Sequence, residues 1–218
     1  MSKQFGIKNY KQLTAELEQM KKAPRTVLDR TLSDVKKRAP GWISAEVAQE
    51  YGIKKKEVGD GKTSKLKIEG KKMPDVKLVY SGRVLTPTHF GMTPKVPKAG
   101  GGAYTLKASI IKGQKTTLGK VKKLSKKQRA ALGKNFRREG TRTSDHSPIM
   151  LMRTGNAKEG GTNYIPFQRK STKRKDVEAI KTVSVPQMIE NRAAEGIRET
   201  LNENVGKRLD HHMKRLMK

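Results

Sequence analysis

Apolar residues recur every three or four positions over the first third of the chain and every second position beyond residue 76, so a helical N-terminal part gives way to strands. Asn9 fits an N-cap, with Gln12 three residues on, for a first helix whose apolar face is Tyr10, Leu13, Leu17 and Met20. Pro24 suits the first turn of a second helix with the face Val27, Leu28, Leu32 and Val35, which Pro40-Gly41 ends. Ser44 then caps a third, short helix carrying Val47, Ala48 and Tyr51, closed by Gly52.

From residue 76 the period is two. Val76, Leu78 and Tyr80 form one strand, and Tyr104, Leu106, Ala108 and Ile110 another. Residues 86–102 between them hold three prolines and four glycines and read as a long mobile loop. Residues 149–153 and 164–168 are further strands, and 125–138 has a helical composition with a very basic surface. Ser184-Val185-Pro186-Gln187 opens a last helix that runs to Met217, about 32 residues or roughly 48 Å. Its apolar stripe Ile189, Ala193, Ile197, Leu201, Val205 and Leu209 steps by four, so it drifts by about 40° per step around the helix. Such a helix either bends at Gly196 or Gly206, or packs its distal half on another subunit. The expected fold class is α+β: N-terminal helices, a small, mostly antiparallel sheet of about four strands, and a long C-terminal helix. One domain spans residues 1–218, with a basic insertion at about 113–145.

Charge changes this picture. The 218 residues carry 50 Lys+Arg against 20 Asp+Glu, a formal net charge of +30. Residues 76–138 hold 16 of those cations and no acid, where a uniform scatter of the 20 acids would put about six. A segment of that kind suits a polyanion, and the candidate nucleic-acid-binding residues are Lys107, Lys112, Lys115, Lys120, Lys122, Lys123, Lys126, Lys127, Arg129, Lys134, Arg137 and Arg138. Further basic clusters stand at Lys54-Lys55-Lys56 and from Arg169 to Lys175. Only Tyr80, Phe90, Tyr104 and Phe136 fall in the acid-free window, too few for base stacking, so phosphate contact without sequence preference is the expected mode. A hydrophobic fraction of 33% leaves room for a modest core. The chain has no cysteine, which removes disulfides and thiol chemistry and fits manufacture in a reducing cytoplasm. The longest apolar run, Ile149-Met150-Leu151-Met152, is far too short to span a bilayer, and Met1-Ser2-Lys3-Gln4-Phe5 does not open a secretory signal.

Four motifs carry little chemistry. Gly61-Lys62-Thr63 ends like a phosphate-binding loop, but Lys56 stands where the upstream glycine belongs. Asp145, His146 and Ser147 name a hydrolase triad, yet three adjacent residues cannot converge on one centre. His211 and His212 are neighbours on a helix without a third ligand, and read as a solvated helix end. Residues 44–53 match the first helix and turn of a helix-turn-helix, with Ala48 four residues before Gly52. The recognition helix is lacking, because 54–58 is only five residues before Gly59-Asp60-Gly61 breaks it. No constellation supports an enzyme, a metal or a cofactor.

Tyr51-Gly52-Ile53-Lys54-Lys55-Lys56-Glu57-Val58, Tyr80-Ser81-Gly82 leading to Phe90, Ser184-Val185-Pro186-Gln187-Met188-Ile189, and the closing run from Arg208 to Leu216 together resemble the phage minor tail protein Z family. The resemblance covers about residues 5–112 and 148–218, and Ser184 to Met188 is its most specific piece. It implies a virion protein, without catalysis, that completes the head-proximal end of a long-tailed phage's tail beside the tail terminator and connector proteins, as a homo-hexamer around the DNA channel. Its implied partners are those neighbours, further copies of itself and genomic double-stranded DNA, with no membrane. Candidate subunit-interface residues are Val185, Pro186, Met188, Ile189, Leu201, Val205, Leu209 and Leu216. Residues 113–145 are longer and more basic than the family's pattern, and no role is carried over onto them. A hexamer would carry 180 formal charges, six times +30, whereas ~48 Å of duplex offers only about 28 phosphates, so most of the basic surface must meet something else. The rival readings are a non-specific or helix-turn-helix DNA-binding protein and a basic, ribosome-associated RNA-binding protein.

Overall fold

The computed structural model describes residues 24–70, 76–98, 102–121, 149–154, 164–169 and 176–217. The expected helices at 9–20 and 125–138 lie outside them. The class is α+β, as the periodicities require, but the described strands number seven, in a two-stranded and a five-stranded sheet. Composition points to one compact domain; the chain gathers into two compact units. The first takes in the described residues of Met1–Glu50, Lys54–Arg83 and Ser184–Lys218, and the second Tyr51–Ile53 with Val84–Val183.

In the first unit, α1 runs unbroken over Pro24–Glu50, with Pro40 inside it. The expected stop at Pro40-Gly41 and the separate helix capped by Ser44 are therefore corrected. An interior proline removes one helical hydrogen bond and costs ~3 kcal/mol. Buried Val27, Val35, Ala39, Ile43 and Val47 run past it on the face that packs against the C-terminal helix, and that burial outweighs the local break. Ser44 does not cap: its hydroxyl donates to the Pro40 carbonyl, one turn back.

The C-terminal helix is also corrected. α2 covers Val185–Glu190 and α3 covers Ala194–Met217, separated by the turn at 191–193 rather than bent at a glycine. At its start the capping box is complete: Gln187 N–H donates to Ser184 Oγ at 3.4 Å, and Ser184 N–H donates to Gln187 Oε1 at 2.8 Å. The turn lets Ala193 N–H reach back to the Met188 carbonyl, so that Ile189 and Ala193 stay buried on both sides of it. Every residue of the stripe from Ile189 to Leu209 is buried inside the unit, because its partner is the matching face of α1 rather than a flat sheet. Among the described residues no helix is long and apolar enough to cross a membrane.

β1 (Ser64–Glu69) and β2 (Lys77–Gly82) pair antiparallel, Leu66 opposite Tyr80 and Ile68 opposite Leu78, and α2 packs on β2. The loop before β1 closes on Asp60, whose Oδ1 accepts from Lys62 N–H at 2.8 Å and Thr63 N–H at 2.7 Å. Those bonds, the Thr63 amide first, hold its carboxyl below the ordinary range. Gly61-Lys62-Thr63 thus serves a turn closed by its own side chains.

The second unit is the five-stranded sheet in the order β3 (Tyr104–Ala108), β4 (Thr116–Val121), β5 (Ile149–Arg153), β6 (Tyr164–Arg169), β7 (Val177–Ala179). All pairs are antiparallel except β4 with β5. Met92, Leu106, Val121 and Ile149 form its core, with Tyr104, Leu118, Leu151 and Ile180 against them. A bulge shifts the β3–β4 register at Leu106/Lys107, and Gly119 sits there at φ 144°. A Cβ at Gly119 would meet Ile149 Cδ1 at 2.9 Å. The expected mobile loop at 86–102 is largely ordered where described. Pro87–Phe90 is a 3-10 helix with Phe90 fully buried, and Thr93 exchanges two backbone hydrogen bonds with Lys107.

Candidate polyanion-binding surface

Lys107 and Lys120 stand on β3 and β4, and Lys112 and Lys115 on the connection between these strands; all four are exposed. The backbone of Lys107 is tied to Thr93 in both directions, at 2.8 and 3.0 Å, while its side chain stays in solvent. Lys120 opposes Thr105 across the ladder. Lys122, Lys123, Lys126, Lys127, Arg129, Lys134, Arg137 and Arg138 lie outside the described residues.

Two further exposed cations of the acid-free window, Lys95 and Lys98, follow the bridge at Thr93. The Lys98 ammonium lies 5.8 Å from the centre of the Tyr104 ring. They belong with the four strand and hairpin lysines, and the acid gap was the signal for them. Among the described residues none of these six lysines is paired with a carboxylate.

The first unit treats its charges differently. Glu50 accepts from Arg192 at 3.3 Å, Glu46 from the Thr200 hydroxyl at 2.9 Å, and Asp34 lies 3.2 Å from His212 and 3.8 Å from Arg208. As the α1 partner moves from 34 to 50 the other partner moves back from 212 to 192, so these contacts lace two antiparallel segments together. His212 is 8% exposed, which corrects the reading of a solvated helix end; a three-residue step from buried Leu209 is the signal that places it near the stripe. His211 is exposed and meets the His212 ring edge-on at 5.2 Å. Among the described residues no group of three acidic or histidine side chains is placed to hold a metal.

The candidate subunit-interface residues fall mainly inside their own chain. Val185, Met188, Ile189, Leu201, Val205 and Leu209 are buried in the first unit, while Pro186 and Leu216 are half-buried. A residue already buried within its own unit has no apolar surface left for a neighbour, so those six are corrected. The helix-turn-helix reading finds no second helix: Lys55–Glu57 is one 3-10 turn. Its turn glycine has another use, since Gly52 N–H donates to Ile110 O at 3.1 Å and a Cβ there would lie 1.8 Å from the Ser109 carbonyl oxygen. The close approach of two backbones, not a turn between helices, requires glycine at 52. No protein-family model, curated protein or solved structure matches the chain.

Proposed function

We propose that the chain is a virion structural protein that completes the head-proximal end of a long-tailed phage's tail and forms a collar around the DNA channel. The observation that carries this reading is the acid-free stretch 76–138, whose lysines at 95, 98, 107, 112, 115 and 120 are exposed and unpaired among the described residues. Unpaired ammonium groups attract phosphate at any sequence, and the attraction weakens steeply with salt. All six are lysines, compact charges on flexible stems that exchange contacts rapidly. Such contacts hold a DNA end without locking it, which a channel that must later release its DNA requires. The tail context comes from the resemblance at 184–189 and 208–216. Because the α3 stripe is occupied within its own chain, contacts between copies use other surfaces.

The test is reconstitution. Particles made without this chain should accumulate as filled heads and separate tails, and the purified protein should join them into infectious phage. Joining that proceeds equally well without the protein would overturn the proposal.

A further inference from the structure

The five-stranded sheet has two faces, and register assigns every strand residue to one of them. Met150 opposes Phe167 and Met152 opposes Ile165 across β5–β6, while Phe167 opposes Ala179 and Arg169 opposes Val177 across β6–β7. Met150, Met152, Ile165, Phe167, Val177 and Ala179 therefore share one face, opposite the core residues Ile149 and Leu151. None of the six is buried, and Met152 is 41% exposed. Lys120 and Lys107 extend from the same face at its β3–β4 side. The one acid in the five strands, Glu178, opposes Gln168 and belongs to the other face.

We infer that this outer sheet face is a docking surface for an acidic protein partner, one that presents an apolar centre flanked by carboxylates. The chemistry selects that occupant. Thioethers and aliphatic groups give phosphates nothing to bind, and one phenylalanine is no stacking platform for bases. Two flexible methionines beside a ring suit an apolar protein surface. The β3–β4 side of the face is cationic, so a second copy, itself at +30, meets repulsion where an acidic surface meets attraction. Spacings of ~4.8 Å between strands and ~3.3 Å between residues give the face roughly 300 Å². That is under half of what one partner contributes to a standard interface, so a single contact is weak and salt-sensitive, and repetition around an assembly strengthens it. The inference does not rest on the tail reading: Lys107 and Lys120 stand on this sheet face as well as among the exposed basic residues, whereas Lys95, Lys98, Lys112 and Lys115 lie outside the strands.

The experiment places the photo-crosslinking residue p-benzoylphenylalanine at Met152 of the full chain, in the cells that make it, with a control at exposed Lys207. After irradiation, mass spectrometry should find the Met152 position joined to an acidic segment of a different protein, with no such product from the control. Lys107→Glu with Lys120→Glu should cut the yield at least ~5-fold while the circular dichroism stays unchanged. Cross-links to a second copy, to nucleic acid or to a basic segment, an absent cross-link, or a yield indifferent to the charge reversals would each overturn the inference. An acidic partner that is no virion protein would sink the tail reading alone.

Discussion

Leu209 lies in the distal part of α3 and is 1% exposed, buried against α1 of its own chain. Leu209→Ala removes most of a buried side chain worth ~1.5–3 kcal/mol in transfer and leaves a cavity besides, for a total of about 3 kcal/mol. With a urea dependence of about 2 kcal/mol per molar, the unfolding midpoint should fall by ~1.5 M. Ile197→Ala, at a fully buried position nearer the helix start, should cost about as much, and half-buried Leu216→Ala under ~1 kcal/mol. The assay is urea unfolding of nuclease-treated protein followed by far-UV circular dichroism, at two concentrations about tenfold apart. The shift should not depend on concentration. A distal helix that reserves its stripe for a neighbouring subunit would leave the dilute Leu209→Ala protein within ~0.5 kcal/mol of the parent, and that result would refute the packing described above.

Asp34→Ala strips His212 Nε2 of its carboxylate while Nδ1 already lacks a partner among the described residues, and should cost ~1–2 kcal/mol; adding His212→Leu should recover part of the loss in thermal unfolding. Gly52→Ala drives a methyl group to 1.8 Å from the Ser109 oxygen and should destabilise the second unit by several kcal/mol; proteolysis should then nick residues 102–121 far faster than in the parent. Burial pushes the Tyr80 phenol up to about 12 from 10, so folding favours its neutral form. Its contribution is complete below pH 10 and is lost as pH climbs from about 10 towards 12, and Tyr80→Phe should remove that part of the alkaline decline and one late tyrosinate step. A Tyr80 ionisation near pH 10 would contradict the burial.

Local signals were legible where local physics decides. The capping box at Ser184 and Gln187 involves residues three apart, and β5 and β6 are short apolar runs that need only a pairing partner. Pro40 misleads because its penalty is local while the gain from Ile43 and Val47 comes from α3, more than 140 residues away in sequence. The break at 191–193 is invisible for the converse reason: Asn191-Arg192-Ala193 holds neither glycine nor proline, whereas Gly196 and Gly206 sit comfortably inside α3. β1 alternates Leu66 and Ile68 with lysines, a period of two that a reading of strands from residue 76 onward passes over, while β4 hides behind Gly119 and β7 is three residues long. The exposed lysines followed from the missing acids alone. That Met150, Met152 and Phe167 share a face required the register of three strands, which no single segment contains.

The central proposition is that the acid-free segment contacts nucleic-acid phosphates through unpaired lysines, and the most direct test is the salt dependence of binding to random duplex DNA. Each phosphate neutralised contributes about 0.9 to the slope of log affinity against log salt. Replacing Lys95, Lys98, Lys112 and Lys115 with glutamine should flatten that slope by ~3 to 4 and weaken binding equally on all sequences. A slope that the four replacements leave unchanged, or a parent protein that binds one sequence far above the rest, would contradict it.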